Sequence, residues 1–122
     1  MSAPKKVLII EDDDAVAQNL IEALGDAYAV SHIATGEKAV DKAEALQPDV
    51  IVLDFDLPKK HGDEVLVELK ANPKTAIIPI LVLTNMSDPI SVSKILAAGG
   101  REYLVKSDWR LDQVVEKIKQ LM

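Results

Sequence analysis

The chain has 122 residues, 48% of them hydrophobic and 28% charged, which suits one compact domain with one core and excludes long disorder and low-complexity scaffolds. Basic residues number 14 against 20 acidic, a net charge of −6, the wrong sign for a domain that grips a phosphate backbone, so direct nucleic-acid binding is not expected. The absence of cysteine removes disulfides, thiolate metal sites and cysteine nucleophiles together.

In chain order, Lys5–Ile10 reads as a buried strand. Ala15–Leu24 follows as a helix with Val16, Leu20, Ile21 and Leu24 on one stripe, stopped by Gly25. Tyr28–Ile33 is a weaker second strand. Gly36–Leu46 is helical in composition and is closed by Pro48. Val50-Ile51-Val52-Leu53 is the strongest strand, an apolar run of the kind buried on both faces. Asp63–Ala71 is a helix with Val65, Leu66 and Leu69 inward, ended by Asn72-Pro73. Pro79–Leu83 is a fourth strand. A helix then starts with Asp88 as cap and Pro89 at its first position and ends at Gly99-Gly100. Arg101–Val105 is the last strand, and Arg110–Leu121 the last helix, with Leu111, Val114, Val115, Ile118 and Leu121 as its stripe.

Five strands alternating with five helices predict an α/β fold with a parallel sheet, because parallel neighbours need crossovers. Right-handed crossovers put helices on both faces, and the expected order is the flavodoxin-like 2-1-3-4-5. A single domain is expected over 1–122, with residues 1–4 as a disordered N-terminus. No apolar run approaches the roughly 20 residues of a membrane helix, and Val7–Ile10 is too short for a signal-peptide core. No membrane association is therefore expected, and the expected compartment is the cytoplasm.

In open α/β sheets ligands bind beyond the carboxyl ends of the strands. There the first strand delivers Glu11-Asp12-Asp13, the third Asp54, the fourth Thr84 and the fifth Lys106. Clustered carboxylates repel one another unless a cation joins them. Hard oxygen ligands without cysteine or neighbouring histidine suit Mg²⁺, with Mn²⁺ as the alternative. A hydroxyl and an ammonium complete a phosphoryl-binding set, and a carboxylate can itself be the nucleophile. Asp54, at the end of the central strand, is best placed for that role.

In this set of residues, taken in order, the chain resembles the receiver domain of two-component response regulators, along essentially its whole length. The resemblance is carried by Val7-Leu8-Ile9-Ile10-Glu11-Asp12-Asp13, by Asp54 in Val50-Ile51-Val52-Leu53-Asp54-Phe55-Asp56-Leu57-Pro58, by Gly62, by Thr84 in Leu81-Val82-Leu83-Thr84, and by Tyr103-Leu104-Val105-Lys106. It implies Asp54 as phosphoacceptor, Asp12 as direct metal ligand, Glu11 binding the metal directly or through water, and Asp56 lending its backbone carbonyl. It implies Thr84 and Lys106 on phosphoryl oxygens, and Thr84 with Tyr103 as the switch. The acidic pair has a second register, Asp12 with Asp13. Glu11 with Asp12 is preferred because the apolar run stops at Ile10, leaving Asp13 as a helix cap.

The implied function is a Mg²⁺-dependent signalling module, not a turnover enzyme. It would be phosphorylated by a sensor histidine kinase or phosphotransfer protein and read by a downstream protein on the face of the fourth helix, fifth strand and last helix. Two other functions fit less of the pattern. One is a degenerate receiver used as a docking module. The other is a haloacid-dehalogenase-like phosphatase, suggested by Asp54-Phe55-Asp56 but lacking room for a cap domain. Tyr103 also reads as an ordinary packed tyrosine, Trp109 as packing near the last loop, Met86 as a loop contact, and His32 and His61 as an edge-strand and a loop histidine. The sequence departs from the family at Asn85, where a small residue is preferred, at Phe55 and Asp56, and in the basic Lys59-Lys60-His61. It departs again at Ser107, where proline is usual. The family's bond there is cis, and a cis bond before serine costs about 3 kcal/mol, which leaves cis and trans both open at Lys106-Ser107.

Overall fold

The structure is a computed structural model that describes residues 3–57, 60–85, 89–106 and 110–122. The expected cap Asp88, Lys59, Met86, Trp109 and the Lys106–Ser107 bond lie outside the described residues. The elements are β1 (Lys5–Ile10), α1 (Asp14–Leu24), β2 (Tyr28–Ile33), α2 (Ala39–Leu46), β3 (Val50–Asp54), α3 (Gly62–Ala71), β4 (Ile80–Thr84), α4 (Pro89–Ala97), β5 (Glu102–Val105) and α5 (Leu111–Leu121), with a 3-10 turn at Gly25–Ala27. All strand pairings are parallel and the order is β2-β1-β3-β4-β5, as the alternating pattern predicts. None of the described helices is long and apolar enough to cross a membrane.

The period-two alternation of a strand sends neighbouring side chains to opposite faces, and here both faces are apolar. Leu8, Ile10, Ile51, Leu53, Ile80 and Val82 pack with Ala39 and Ala43 of α2, Val65, Leu66 and Leu69 of α3 and Ile95 of α4. Val7, Ile9, Val50, Val52, Leu81 and Leu83 pack with Ala17, Leu20 and Leu24 of α1 and Val114 and Ile118 of α5. Each large aliphatic side chain so buried stabilises the fold by about 1.5–3 kcal/mol. Strand β3 lies at the centre and is buried along its whole length.

Most boundaries agree with the sequence reading to within one residue, and the informative differences have local causes. Helix α2 starts at Ala39 instead of Gly36. The space where a Cβ of Gly36 would sit is already taken by Val65 Cγ2 at 2.4 Å, so this residue belongs to a tight passage beneath α3, and the Ala39 N–H donates to the Gly36 carbonyl to close a turn. Strand β4 runs Ile80–Thr84, one residue later than expected. Pro79 has no N–H for the ladder, and its carbonyl accepts from Ile51 N at 3.0 Å. The stripe of α1 is centred on Ala17, Leu20 and Leu24, while Val16 and Ile21 lie on its half-buried flanks.

The approach of α3 to β3 depends on Gly62. A Cβ there would fall 2.4 Å from Phe55 Cα and 2.8 Å from Phe55 O, backbone atoms that cannot swing aside, and the Gly62 N–H donates to that Phe55 carbonyl at 3.2 Å. Gly62→Ala should therefore destabilise the protein by roughly 1–3 kcal/mol, the usual cost of overpacking. Gly25, with nothing within 4 Å of its would-be Cβ but a φ of +70°, provides the comparison in which only backbone strain acts. Urea unfolding of both variants checks this; an unchanged midpoint for Gly62→Ala would remove close approach as the reason for glycine.

Candidate functional site

The carboxyl ends of β1, β3, β4 and β5 meet at one edge of the sheet. Carboxylate oxygens of Glu11, Asp12 and Asp54 lie within 4.8 Å of one another. Glu11 and Asp54 are each only 1% exposed, whereas Asp12 faces solvent. The Asp13 carboxylate is turned away, accepting from Ala15 N at 2.9 Å and Val16 N at 3.2 Å as the cap of α1. The acids that converge are thus Glu11 and Asp12 with Asp54, and Asp13 is occupied by the helix.

Asp54 is held from two sides. Lys106 Nζ lies 2.8 Å from Asp54 Oδ1, and the Asp56 backbone N–H donates to the same oxygen at 3.0 Å. Lys106 Nζ is also 3.5 Å from Glu11 Oε1, too long for a good hydrogen bond, and Glu11 Oε1 is a buried oxygen with no hydrogen-bond partner among the described residues. Glu11 Oε2 accepts from Asp13 N at 3.3 Å. Thr84 is fully buried at the end of β4, and its carbonyl accepts from the Lys106 N–H at 2.7 Å. Tyr103 is partly buried and packs on the α2–α4 side of the sheet, the side to which the strand period also assigns Thr84.

The electrostatics follow from two buried carboxylates sharing one ammonium. Burial, then the neighbouring Asp54 carboxylate, push Glu11 up to about 8, against the opposing pull of Lys106 and the Asp13 N–H. Burial also acts to raise Asp54, but Glu11, Lys106, the Asp56 N–H and Asp12 together hold it below the usual carboxylate range. Burial acts to lower Lys106, and the attraction of Asp54 and Glu11 outweighs it, so the ammonium is kept charged. Like charges this close do not both ionise readily, so without a cation the proton resides on Glu11.

This donor set fits a hard divalent cation. It offers carboxylate oxygens only, one of them exposed to water and one a buried orphan, matching an ion that keeps several waters and takes one or two carboxylates. The arrangement also leaves an ionised carboxylate at the end of the central strand beside an ammonium, a nucleophile next to a group that can neutralise an anion.

Two contacts were not legible as site features. Asp56 Oδ2 accepts from the Asn85 N–H at 3.0 Å, joining the loop after β3 to the loop after β4. His32 Nε2 lies 2.7 Å from the Glu11 carbonyl, although the sequence reads it as a plain edge-strand histidine. The signal for both is register: Ile9 pairs with His32 and Asp54 with Leu83, which brings the following residues together. His61 stands just before α3 without capping it through its side chain.

Comparison with known proteins gives a consistent result. Residues 7–119 match the family model described as response regulator receiver domain. The chain is 33% identical over 107 residues to the transcriptional regulatory protein PdtaR of Mycobacterium tuberculosis, covering 86% of this chain and 51% of that protein. It spans between 7% and 51% of the length of the first curated relatives it matches. Among solved structures, the chemotaxis protein CheY4 of Vibrio cholerae superposes with a TM-score of 0.89 at 28% identity, covering 98% of this chain and 100% of that one. The receiver domain of sensor histidine kinase PA1611 of Pseudomonas aeruginosa, with a magnesium ion coordinated in its active site cleft, superposes with a TM-score of 0.83 at 27% identity, covering 98% of both chains.

A carboxyl whose folded pKa is raised binds its proton more tightly in the folded state, so it makes stability fall as pH rises from the unfolded value toward the folded one. For Glu11 that window runs from 4.5 to about 8. In excess chelator the protein should lose on the order of 1–3 kcal/mol of stability between pH 5 and pH 8.5 through this group, and Glu11→Gln should remove that loss and be the more stable protein at pH 8.5. Denaturant melts of both proteins across this range check it; parallel pH profiles would show that Glu11 ionises without cost.

Proposed function

Because the chain belongs to the response regulator receiver domain family of two-component systems, we propose that Asp54 accepts a phosphoryl group from a sensor histidine kinase or a phosphotransfer protein and that a downstream protein reads the result. The observation that carries this is the Asp54 carboxylate itself. It is buried at the end of the central strand, held ionised, and fixed by Lys106 and the Asp56 N–H.

In the transfer, an Asp54 carboxylate oxygen attacks phosphorus in line with the leaving group. An acyl phosphate anhydride forms on Asp54 as the phosphorus–nitrogen bond of a phosphohistidine, or the phosphorus–oxygen bond of a small acyl phosphate, breaks. The leaving group keeps the electron pair, and the imidazole or carboxylate so released is stable at neutral pH. Little covalent work falls to the protein, so its part is placement and neutralisation. Lys106 supplies a positive charge from one side, and the hydroxyl of Thr84, at the end of the neighbouring strand, would meet a phosphoryl oxygen. Glu11, Asp12 and the Asp56 carbonyl would hold Mg²⁺, which offsets the negative charge of the three carboxylates and of the incoming phosphoryl group. A cation there would give the orphaned Glu11 oxygen a partner and favour the ionised form of that carboxylate. The Mg²⁺ in the cleft of the PA1611 receiver supports this assignment.

Transfer is stoichiometric, one phosphoryl group per chain. The output surface is the face of α4, β5 and α5. Exposed Ile90 and Leu96 of α4 and Leu111 of α5 offer apolar contacts there, and Tyr103 on β5 is the aromatic that would change position as Thr84 moves toward the phosphoryl group.

Incubation with acetyl phosphate and Mg²⁺ followed by intact-mass spectrometry tests the assignment. One added phosphoryl group is expected on the wild-type protein. Asp54→Asn and excess chelator should each lower labelling by at least about 100-fold, the scale set by losing a nucleophile or its charge-neutralising ion. Equal labelling of Asp54→Asn would place the acceptor elsewhere. No labelling of folded, Mg²⁺-replete wild type, with a kinase donor also inactive, would favour the docking-module reading.

A further inference from the structure

A planar peptide has one orientation once its carbonyl is fixed. The carbonyl of Glu11 belongs to the peptide that joins the buried Glu11 to the exposed Asp12, side by side in the site. Strand β2 ends at Ile33, and the last backbone bond of its ladder with β1 is the Glu11 N–H donating to the Ile33 carbonyl at 3.1 Å. Beyond that point the Glu11 carbonyl takes its hydrogen bond from a side chain, His32 Nε2 at 2.7 Å.

We propose that His32 is a positioning residue for the cation site, holding the Glu11–Asp12 peptide plane so that both carboxylates face Asp54. A carbonyl oxygen only accepts, so Nε2 must carry the proton here, in the neutral Nε2–H tautomer or in the cation. The imidazole thus donates in either charge state. Its reach comes from the pairing of His32 with Ile9, which places the ring alongside the chain as it leaves β1. With the Ile33 carbonyl on its N–H, the imidazole on its carbonyl and the Asp13 N–H on Oε2 at 3.3 Å, Glu11 is fastened at three points. The oxygen left over, Oε1, is the one without a hydrogen-bond partner among the described residues and directed at Lys106. Without the imidazole bond, the carbonyl of the Glu11–Asp12 peptide loses this anchor, and the peptide that carries Asp12 is held less firmly.

The inference rests on the reading of Glu11 and Asp12 as cation ligands, and its test separates the two. Free Mn²⁺ is titrated with the 122-residue chain and followed by electron paramagnetic resonance, using wild type, His32→Phe and His32→Gln. Phenylalanine keeps the ring and loses the donor; glutamine keeps an N–H donor on a flexible stem. His32→Phe should weaken Mn²⁺ binding by about 10–100-fold, the range seen when partners of ligating residues are removed, and His32→Gln should lose clearly less. Labelling of His32→Phe by acetyl phosphate should fall at low Mg²⁺ and return to the wild-type rate at saturating Mg²⁺, a split that a general loss of structure does not produce. Binding by His32→Phe equal to wild type, or equal losses in both variants, overturns the role of the His32 donor while leaving the cation site intact. Absence of Mn²⁺ binding by wild type overturns the ligand assignment beneath it. Should His32→Phe fail to fold, long-range proton–nitrogen NMR of the wild-type ring decides: a protonated Nε2 coupled through the hydrogen bond to the Glu11 carbonyl supports the proposal, and a bare Nε2 overturns it.

Discussion

Two carboxylates with almost no exposure stand at the ends of adjacent parallel strands, with one ammonium between them. An ionised group moved into such surroundings loses several kcal/mol of hydration, and a second of the same sign adds repulsion. The fold tolerates the arrangement because the rest of the sheet is apolar on both faces and supplies the stability that the site consumes. It also distributes the strain unevenly. Asp54 receives an ammonium and a backbone N–H on the same oxygen, so it is the member that stays ionised. Glu11 receives one long contact and one weak backbone bond, so it is the member that keeps a proton.

That asymmetry matches the two proposed roles. A nucleophile must be ionised before its partner arrives, and the Asp54 environment prepares it for that. A cation ligand need be ionised only when the cation is present, and a proton on Glu11 reduces the repulsion until then. Binding of a divalent ion and release of the Glu11 proton would be linked, because both act on the same carboxylate. Strand order makes this possible. Only with β1 and β3 as neighbours does the acidic end of one lie beside the acidic end of the other, and only with β5 beyond β4 does Lys106 reach over to both.

The fold was legible in the sequence because its strongest signals are local. Val50-Ile51-Val52-Leu53 is too short for a helix and too apolar for an edge strand, and each predicted strand lies within one residue of the observed one. The list of site residues was legible for the same reason: an apolar run that stops marks a strand end, and in a parallel sheet the carboxyl ends share an edge. What stayed hidden depends on contacts distant in the chain. Nothing near Gly36 shows that Val65 occupies the place of its side chain, so the start of α2 was placed three residues early. Gln47 adopts a left-handed conformation (φ 49°) without being glycine or asparagine; its side-chain amide donates to the carbonyls of Glu44 at 3.1 Å and Lys74 at 3.2 Å, a compensation supplied by a loop 27 residues on. His32 is the sharpest case, for its contact with the site exists only through the register of β2 on β1.

Lys106 connects this chemistry to the remote face of the domain. Its side chain lies on Asp54, while its backbone N–H bonds to the carbonyl of Thr84, so one residue touches the proposed acceptor and ties the end of β5 to the end of β4. Three residues earlier on the same short strand is Tyr103, packed on the α2–α4 side. In the resting state the lysine charge is shared by two carboxylates. A phosphoryl group on Asp54 would present it with further acceptors, and a cation would take over Glu11. Both changes would draw the ammonium away from Glu11, and the bond to Thr84 would pass any resulting shift to β4. Strand β5 is at the sheet edge, with a neighbour on one side only and every residue half-buried. Like β2 at the opposite edge, it therefore has less packing to resist such a shift than the three central strands, which suits the proposed output surface built around it.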